Sequence, residues 1–389
     1  MTGDRPTSLA MIERLVGFDT VSARSNLALI EFVRDYLAGH GVASRLVFHP
    51  SGEKANLLAT MGPRRPGGVV LSGHTDVVPV DGQPWDTDPF AVVARDGRLY
   101  GRGTADMKSF IAIALALVPE ILARALRTPI HLALSYDEEL GCLGAPSLLH
   151  EIAAHLPPPR LAIIGEPTLM QPANRHKGVF AFETTVTGRD GHSSAPQRGV
   201  NAVLAAAEIV QFLGRLAAEF RERGPFDDGF DPPYTSFNVG TIAGGTALNI
   251  IARTCAFKWE FRPVPGADPA AIGGRLDAFV AAQLLPRLRA VAPEADAVTV
   301  PRCAVPGLVP RPDDPAEALA RALSGANRAI GVAFGTEAGL FQQAGIPAVV
   351  CGPGSIEQAH QPNEFIALDQ VEACVAFLRR LMDRAAADG

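Results

Sequence analysis

Two histidines and a group of carboxylates stand where apolar runs give way to polar turns. Gly68–Gly73 leads into His74 and Asp76, Ile130–Tyr136 into Asp137, Glu138 and Glu139, Leu161–Gly165 into Glu166, and Ala348–Gly354 precedes His360. Asp106 follows Arg98-Leu-Tyr-Gly-Arg-Gly-Thr-Ala105 and precedes the apolar run from Ile111. A single carboxylate or imidazole after a strand is usually a cap or a turn residue. Five such segments together are better explained by one pocket. Imidazole nitrogen and carboxylate oxygen without thiolate suit a pair of borderline divalent ions, zinc first, with cobalt or manganese as alternatives. Two such ions bring four positive charges and Asp106, Glu139 and Glu166 remove three, leaving a positive site that can hold hydroxide and polarise a carbonyl. Asp76, two residues beyond His74, is placed to orient the imidazole through its other nitrogen.

The elements that must carry these residues follow from periodicity. Leu9, Ile12, Leu15 and Val16 recur at helical spacing, and a second amphipathic helix is expected from about Asn26 to Gly39. Short β-type runs at Asn56–Thr60, Gly68–Ser72, Ile130–Tyr136, Leu161–Ile164 and Ala348–Cys351 alternate with helical stretches, notably Ile111–Leu126. This is the pattern of an α/β sheet covered by helices, in which ligands collect beyond the carboxyl ends of strands. From about Gly178 to Pro301 the pattern changes. A strand Val179–Thr187, a helix Asn201–Leu216, strands near Thr235–Thr241 and Thr254–Phe261, a helix Ala270–Leu288 and a strand Ala297–Val300 spell β-α-β-β-α-β, a ferredoxin-like unit. Helices at Ala316–Ala329 and Asp369–Ala385 then resume the first pattern. The expected partition is a catalytic domain of residues 1–177 and 302–389, interrupted by an inserted α+β domain of residues 178–301.

A chain of 389 residues exceeds one ordinary core, which agrees with two domains. A net charge of −6 without a basic stripe offers nucleic acid no footprint. The longest apolar run, Ile111–Leu122, is too short to span a bilayer and contains Pro119, so no membrane association is expected. Cys142, Cys255, Cys303, Cys351 and Cys374 form no CxxC pair, which fits a reducing compartment, and a cytoplasmic location is expected.

The stretches Ser72-Gly-His-Thr-Asp76, Gly101-Arg-Gly-Thr-Ala-Asp-Met-Lys108, Asp137-Glu-Glu139, Gly165-Glu-Pro-Thr168, Gly191-His-Ser-Ser-Ala-Pro196 and the segment around His360 resemble the acetylornithine deacetylase, succinyl-diaminopimelate desuccinylase and aminoacylase family of dizinc hydrolases over nearly the whole chain. The resemblance implies a zinc-peptidase-like catalytic domain with a lid or dimerisation domain. It implies His74 and Glu166 on one metal, Glu139 and His360 on the other, Asp106 bridging both, and Glu138 as general base. His192 matches a lid histidine that stabilises the oxyanion, often in the neighbouring subunit, so a homodimer through the lid is implied. Ile164–Thr168, Arg175–Gly178, Gly335–Ala338, Cys351–Ser355 and Gln358–Pro362 are most similar to the deacetylases of acetylornithine. The implied reaction is release of acetate from the α-nitrogen of acetylornithine, a step in arginine biosynthesis. Arg262 would clamp the substrate carboxylate with help from Asn249, and Glu337 would meet the side-chain ammonium. Other acyl-amino acids, dipeptides, a metal-binding protein without turnover, and a serine or cysteine hydrolase are the competing readings.

Overall fold

A computed structural model describes residues 7–387. The described residues divide into two compact units, one made of residues 7–175, 308–331 and 336–387, the other of residues 176–307 and 332–335. The architecture is mixed α/β with a separate sheet-rich domain, in agreement with the fold expected from the sequence.

The larger unit is built on an eight-stranded sheet in the order Ser44–Phe48, Ala55–Met61, Ile130–Ser135, Val69–His74, Leu161–Pro167, Ala348–Gly352, Ala173–His176, Ile330–Val332. Four adjacent strands of this sheet, Ile130–Ser135, Val69–His74, Leu161–Pro167 and Ala348–Gly352, run parallel. All four are buried along their whole length, as continuous apolar runs are when helices cover both faces of a sheet. Because they are parallel and neighbouring, their carboxyl ends open at one edge. That edge is where His74, Glu138, Glu139, Glu166 and the segment leading to His360 emerge.

The helix Lys108–Ala116 is buried at every position from Lys108 to Leu115 and sits in the main apolar core with Leu71, Leu132, Ile163 and Val349. Its close approach to the strands depends on glycine. A Cβ on Gly165 would lie 2.1 Å from the Phe110 ring. The expected helix Ile111–Leu126 is two helices, Lys108–Ala116 and Val118–Ala123, with Pro119 in the first turn of the second, where its missing N–H costs nothing. The expected helix Ala316–Ala329 ends at Ser324, because Gly325 takes the left-handed conformation that stops it. A three-stranded sheet of Val93–Arg95, Arg98–Tyr100 and Phe365–Ala367 pairs Tyr100 with Phe365. These strands are too short to produce a periodic signal.

The smaller unit is an antiparallel sheet in the order Ser236–Gly244, Thr254–Arg262, Val179–Thr187, Asp296–Val305. Numbered along the chain that is 2-3-1-4, the ferredoxin-like order, with helices Ala202–Arg223 and Pro269–Phe279 on one face. Cys255, Phe257, Trp259 and Phe261 alternate inward from one strand onto Ile209, Leu213, Leu216, Ile272 and Leu276. The second helix continues through a π-helical turn at Val280–Leu284 into Leu285–Arg289, so the single helix expected over Ala270–Leu288 is interrupted. Among the described residues no helix is long and apolar enough to cross a membrane.

Candidate metal centre

At the carboxyl edge of the parallel strands, Asp106 offers its two oxygens to two different imidazoles. His74 Nε2 lies 2.8 Å from Oδ1 and His360 Nε2 lies 3.2 Å from Oδ2. Each imidazole has a further carboxylate of its own. Glu166 Oε1 is 3.5 Å from His74 Nε2, and Glu139 is 3.2 Å from His360 Nε2. One donor atom each from His74, Asp106 and Glu139 lies within 4.8 Å of the others, as is also true of His74, Glu138 and Glu166. His74, Asp106 and Glu166 are buried, whereas the His360 side chain is 49% exposed at the mouth.

The electrostatics describe a site short of positive charge. Burial raises Glu139 and Glu166 above the usual carboxylate range, and the neighbouring Asp106 charge adds to it. Glu138 is pushed up to about 8 by burial, with Glu139, Asp106 and Asp76 repelling its ionised form. Hydrogen bonds to Asp106 and Glu139 raise His360 to about 10. Burial opposes protonation of His74, but Glu166, Asp106 and Asp76 outweigh it and hold the imidazole well above its ordinary value. Clustered carboxylates that repel one another, interleaved with imidazole nitrogens and free of thiolate, are the donor set for divalent cations such as zinc. A carboxylate with one oxygen toward each imidazole matches a ligand shared by two ions, so the residues present fit a pair of metals.

Residues 70–384 match Peptidase family M20/M25/M40. The chain belongs to that family. It is 37% identical, across 98% of both chains, to a protein named acetylornithine deacetylase from Myxococcus xanthus. Its fold is similar to that of an M20 family metallo-carboxypeptidase from Sulfolobus solfataricus, with a TM-score of 0.77 and 18% identity over 98% of this chain and 99% of the other. A Bacillus subtilis protein described as a dinuclear metal binding peptidase of the M20 family is similar with a TM-score of 0.64 and 15% identity, over 98% of this chain and 97% of the other.

In this M20/M25/M40 chain the centre rests on residues with no direct place in it. His74 Nδ1 is 2.9 Å from the backbone carbonyl of Asp76, while the Asp76 carboxylate is farther, at 3.6 Å. The expected orienting contact is thus made mainly by the main chain. The Asp76 carboxylate has other work: it accepts the backbone N–H groups of Glu138 and Glu139 and the hydroxyl of Ser22. Lys54 binds the Ser22 carbonyl and the Asp137 carboxylate, anchoring the turn that aims Glu138. Asp137, Cys142 and His360 have positive φ angles of 53°, 57° and 63°, so the loops bearing the site hold strained backbone. Glu364 accepts the backbone N–H groups of Ala105 and Asp106 and forms a buried ion pair with Arg102. Sequence periodicity was silent on Ser22, Lys54, Arg102 and Glu364. The one available signal was two charged residues inside the same short polar segments as Asp106 and His360.

Of the remaining expected site residues, Glu337 lies beside the strands of the centre and three belong to the smaller unit. Glu337, 1% exposed, receives the hydroxyls of Ser72 and Ser135, which stand on the strands that deliver His74 and Glu138. Burial raises its carboxyl above the usual range. His192, Asn249 and Arg262 belong to the smaller unit. There His192 and Asn249 are exposed and adjacent: His192 bridges to Ile250, and Ser193 N–H donates to the Asn249 carbonyl at 3.0 Å. Arg262 ends its strand with its guanidinium on Glu260, 3.0 Å away.

Proposed function

We propose that this chain hydrolyses the acetyl amide of N2-acetyl-L-ornithine, giving acetate and L-ornithine, with two divalent ions held by His74, Asp106, Glu139, Glu166 and His360. The observation that carries the reading is Asp106 between two imidazoles, each with its own second carboxylate, and Glu138 beside them. The name of the Myxococcus xanthus relative supports the choice of substrate.

The ions, zinc first and cobalt as an alternative, would polarise the amide carbonyl and lower the pKa of water. Everything else falls to the chain. Glu138 takes a proton from the attacking water as its oxygen bonds to the carbonyl carbon. When the carbon–nitrogen bond breaks, the same carboxyl returns that proton to the departing amine. Burial and the neighbouring carboxylates raise the Glu138 carboxyl, and the positive charge of the ions would draw it back toward the carboxylate that accepts the water's proton. Asp76 holds the backbone on both sides of the transfer, through Glu138 N and Glu139 N. Arg262 and Asn249 are proposed to receive the substrate carboxylate, and Glu337 to supply negative charge for the ornithine ammonium. His192 is proposed to donate to the oxyanion in the neighbouring subunit of a homodimer. Five buried cysteines without a disulfide support a reducing, cytoplasmic setting.

A ninhydrin assay of amine release from acetylornithine, acetylcitrulline, acetyl-diaminobutyrate, succinyl-diaminopimelate and dipeptides tests the substrate. Acetylornithine preferred by at least tenfold in kcat/KM supports the reading. Preference for another member of the panel keeps the chemistry and replaces the substrate.

A further inference from the structure

His74 and Glu166 are parts of strands, and the ladder of a buried sheet fixes them. His360 has no such support. It sits on a loop, half exposed, with a φ of 63° that is uncommon for a non-glycine residue. Asp106 likewise lies in a turn between the strand Arg98–Tyr100 and the helix Lys108–Ala116. Something must hold these two loop residues at a working distance.

A closed chain of hydrogen bonds runs from one to the other. Glu364 Oε1 accepts Ala105 N–H and Asp106 N–H at 2.8 and 3.1 Å. Its Oε2 accepts Arg102 Nη1 at 2.6 Å, with both side chains at or below 1% exposure. Arg102 Nη2 donates to Gln83 Oε1 at 2.7 Å, and Gln83 Nε2 donates to the His360 carbonyl at 3.0 Å. Arg102 also lies 5.1 Å over the Trp85 ring and reaches the Gln361 carbonyl. The pairing of Tyr100 with Phe365 brings the two loops together at their base.

Stability is a weak explanation for this arrangement. Burying an ion pair costs desolvation that an apolar pair of the same size avoids, and Arg102 Nε is buried with no partner at all. What the pair does provide is fixed direction: a planar guanidinium and a carboxylate have few ways to meet. We propose that Arg102, Glu364 and Gln83 form a strap that sets the separation of Asp106 and His360 and thereby the affinity of the His360 half of the metal centre. They are positioning residues, acting through the two ligands, and the proposal rests on the two-metal reading above.

The test is metal binding by the whole chain, stripped of metal and titrated with zinc in competition with a chromophoric chelator, then with cobalt followed by its visible spectrum. Gln83→Leu removes both strap contacts of a half-buried side chain. The double variant Arg102→Met with Glu364→Gln replaces the ion pair by a neutral pair that keeps an acceptor for the two backbone N–H groups. In both, the first equivalent should bind within about twofold of the unmodified chain and the second about ten- to hundredfold more weakly, the usual effect of losing an outer partner of a ligand. The cobalt band of the second equivalent should fall with it. Affinities for both equivalents in the variants that match those of the unmodified chain overturn the strap while leaving the metal reading intact, and so does equal weakening of both. An unmodified chain that binds fewer than two equivalents overturns the metal reading and the strap together.

Discussion

His131 is the second residue of the buried strand Ile130–Ser135, with Nδ1 2.9 Å from Thr60 Oγ1 and Nε2 lacking any partner. Burial lowers its pKa from 6.5 to about 4, so the folded protein keeps the imidazole neutral where the unfolded chain would protonate it. The sign follows from proton counting. Below pH 6.5 the unfolded state binds more protons, and stability falls with pH until the folded imidazole also protonates near pH 4. Each pH unit in that window is worth at most about 1.4 kcal/mol, and the window spans about 2.5 units, so the loss approaches about 3 kcal/mol. His131→Asn keeps a partner for Thr60 and removes the titration. It leaves a cavity whose cost does not depend on pH. Urea unfolding of both proteins between pH 8 and pH 4 gives the difference directly. Above pH 6.5 the two stability curves should run parallel; below it they should converge, by about 2 kcal/mol or more at pH 4.5. Curves that stay parallel down to pH 4.5 would refute the account of a desolvated neutral histidine.

Three further outcomes are expected. Gly165→Ala drives a methyl into the Phe110 ring next to Glu166, and should cost about 1–3 kcal/mol in calorimetry, with lower activity because strand and helix must part. Asp76→Ala removes the acceptor of Glu138 N–H and Glu139 N–H, and steady-state assays should show kcat falling about 10- to 100-fold with a smaller change in KM. Glu337→Gln preserves shape beside Ser72 and Ser135 and should cut the preference for acetylornithine over acetylalanine at least about tenfold, roughly 1.4 kcal/mol, if its charge serves the ammonium. An unchanged ratio removes Glu337 from substrate choice.

The fold's outline was legible because parallel strands buried on both faces write themselves as uninterrupted apolar runs, and the ferredoxin-like unit writes an alternating one. His74, Asp106, Glu138, Glu139, Glu166 and His360 stood out because chemistry-bearing residues at strand ends have few structural reasons to coincide. The misread helices share a cause. Pro119, the π-helical turn at Val280–Leu284 and the left-handed Gly325 end or interrupt helices without altering the apolar period around them. The pairing of Arg102 with Glu364 was illegible for a different reason: a charged residue in a short polar segment reads as a solvated turn, and only three-dimensional packing turns the two into a buried pair. Asp76 was assigned to the imidazole because sequence gives proximity but not which of two acceptors, carbonyl or carboxylate, is aimed at the ring.

Turnover is expected to depend on Glu138 moving a proton within a metal centre that forms without it. Metal content and acetylornithine turnover should therefore be measured on the unmodified chain, the chelated chain and Glu138→Gln. Chelation should abolish turnover and zinc or cobalt restore it, while Glu138→Gln should retain two equivalents of metal and lose about 10²- to 10⁴-fold in kcat. Turnover that survives chelation, or a Glu138→Gln variant as active as its parent, would contradict that dependence.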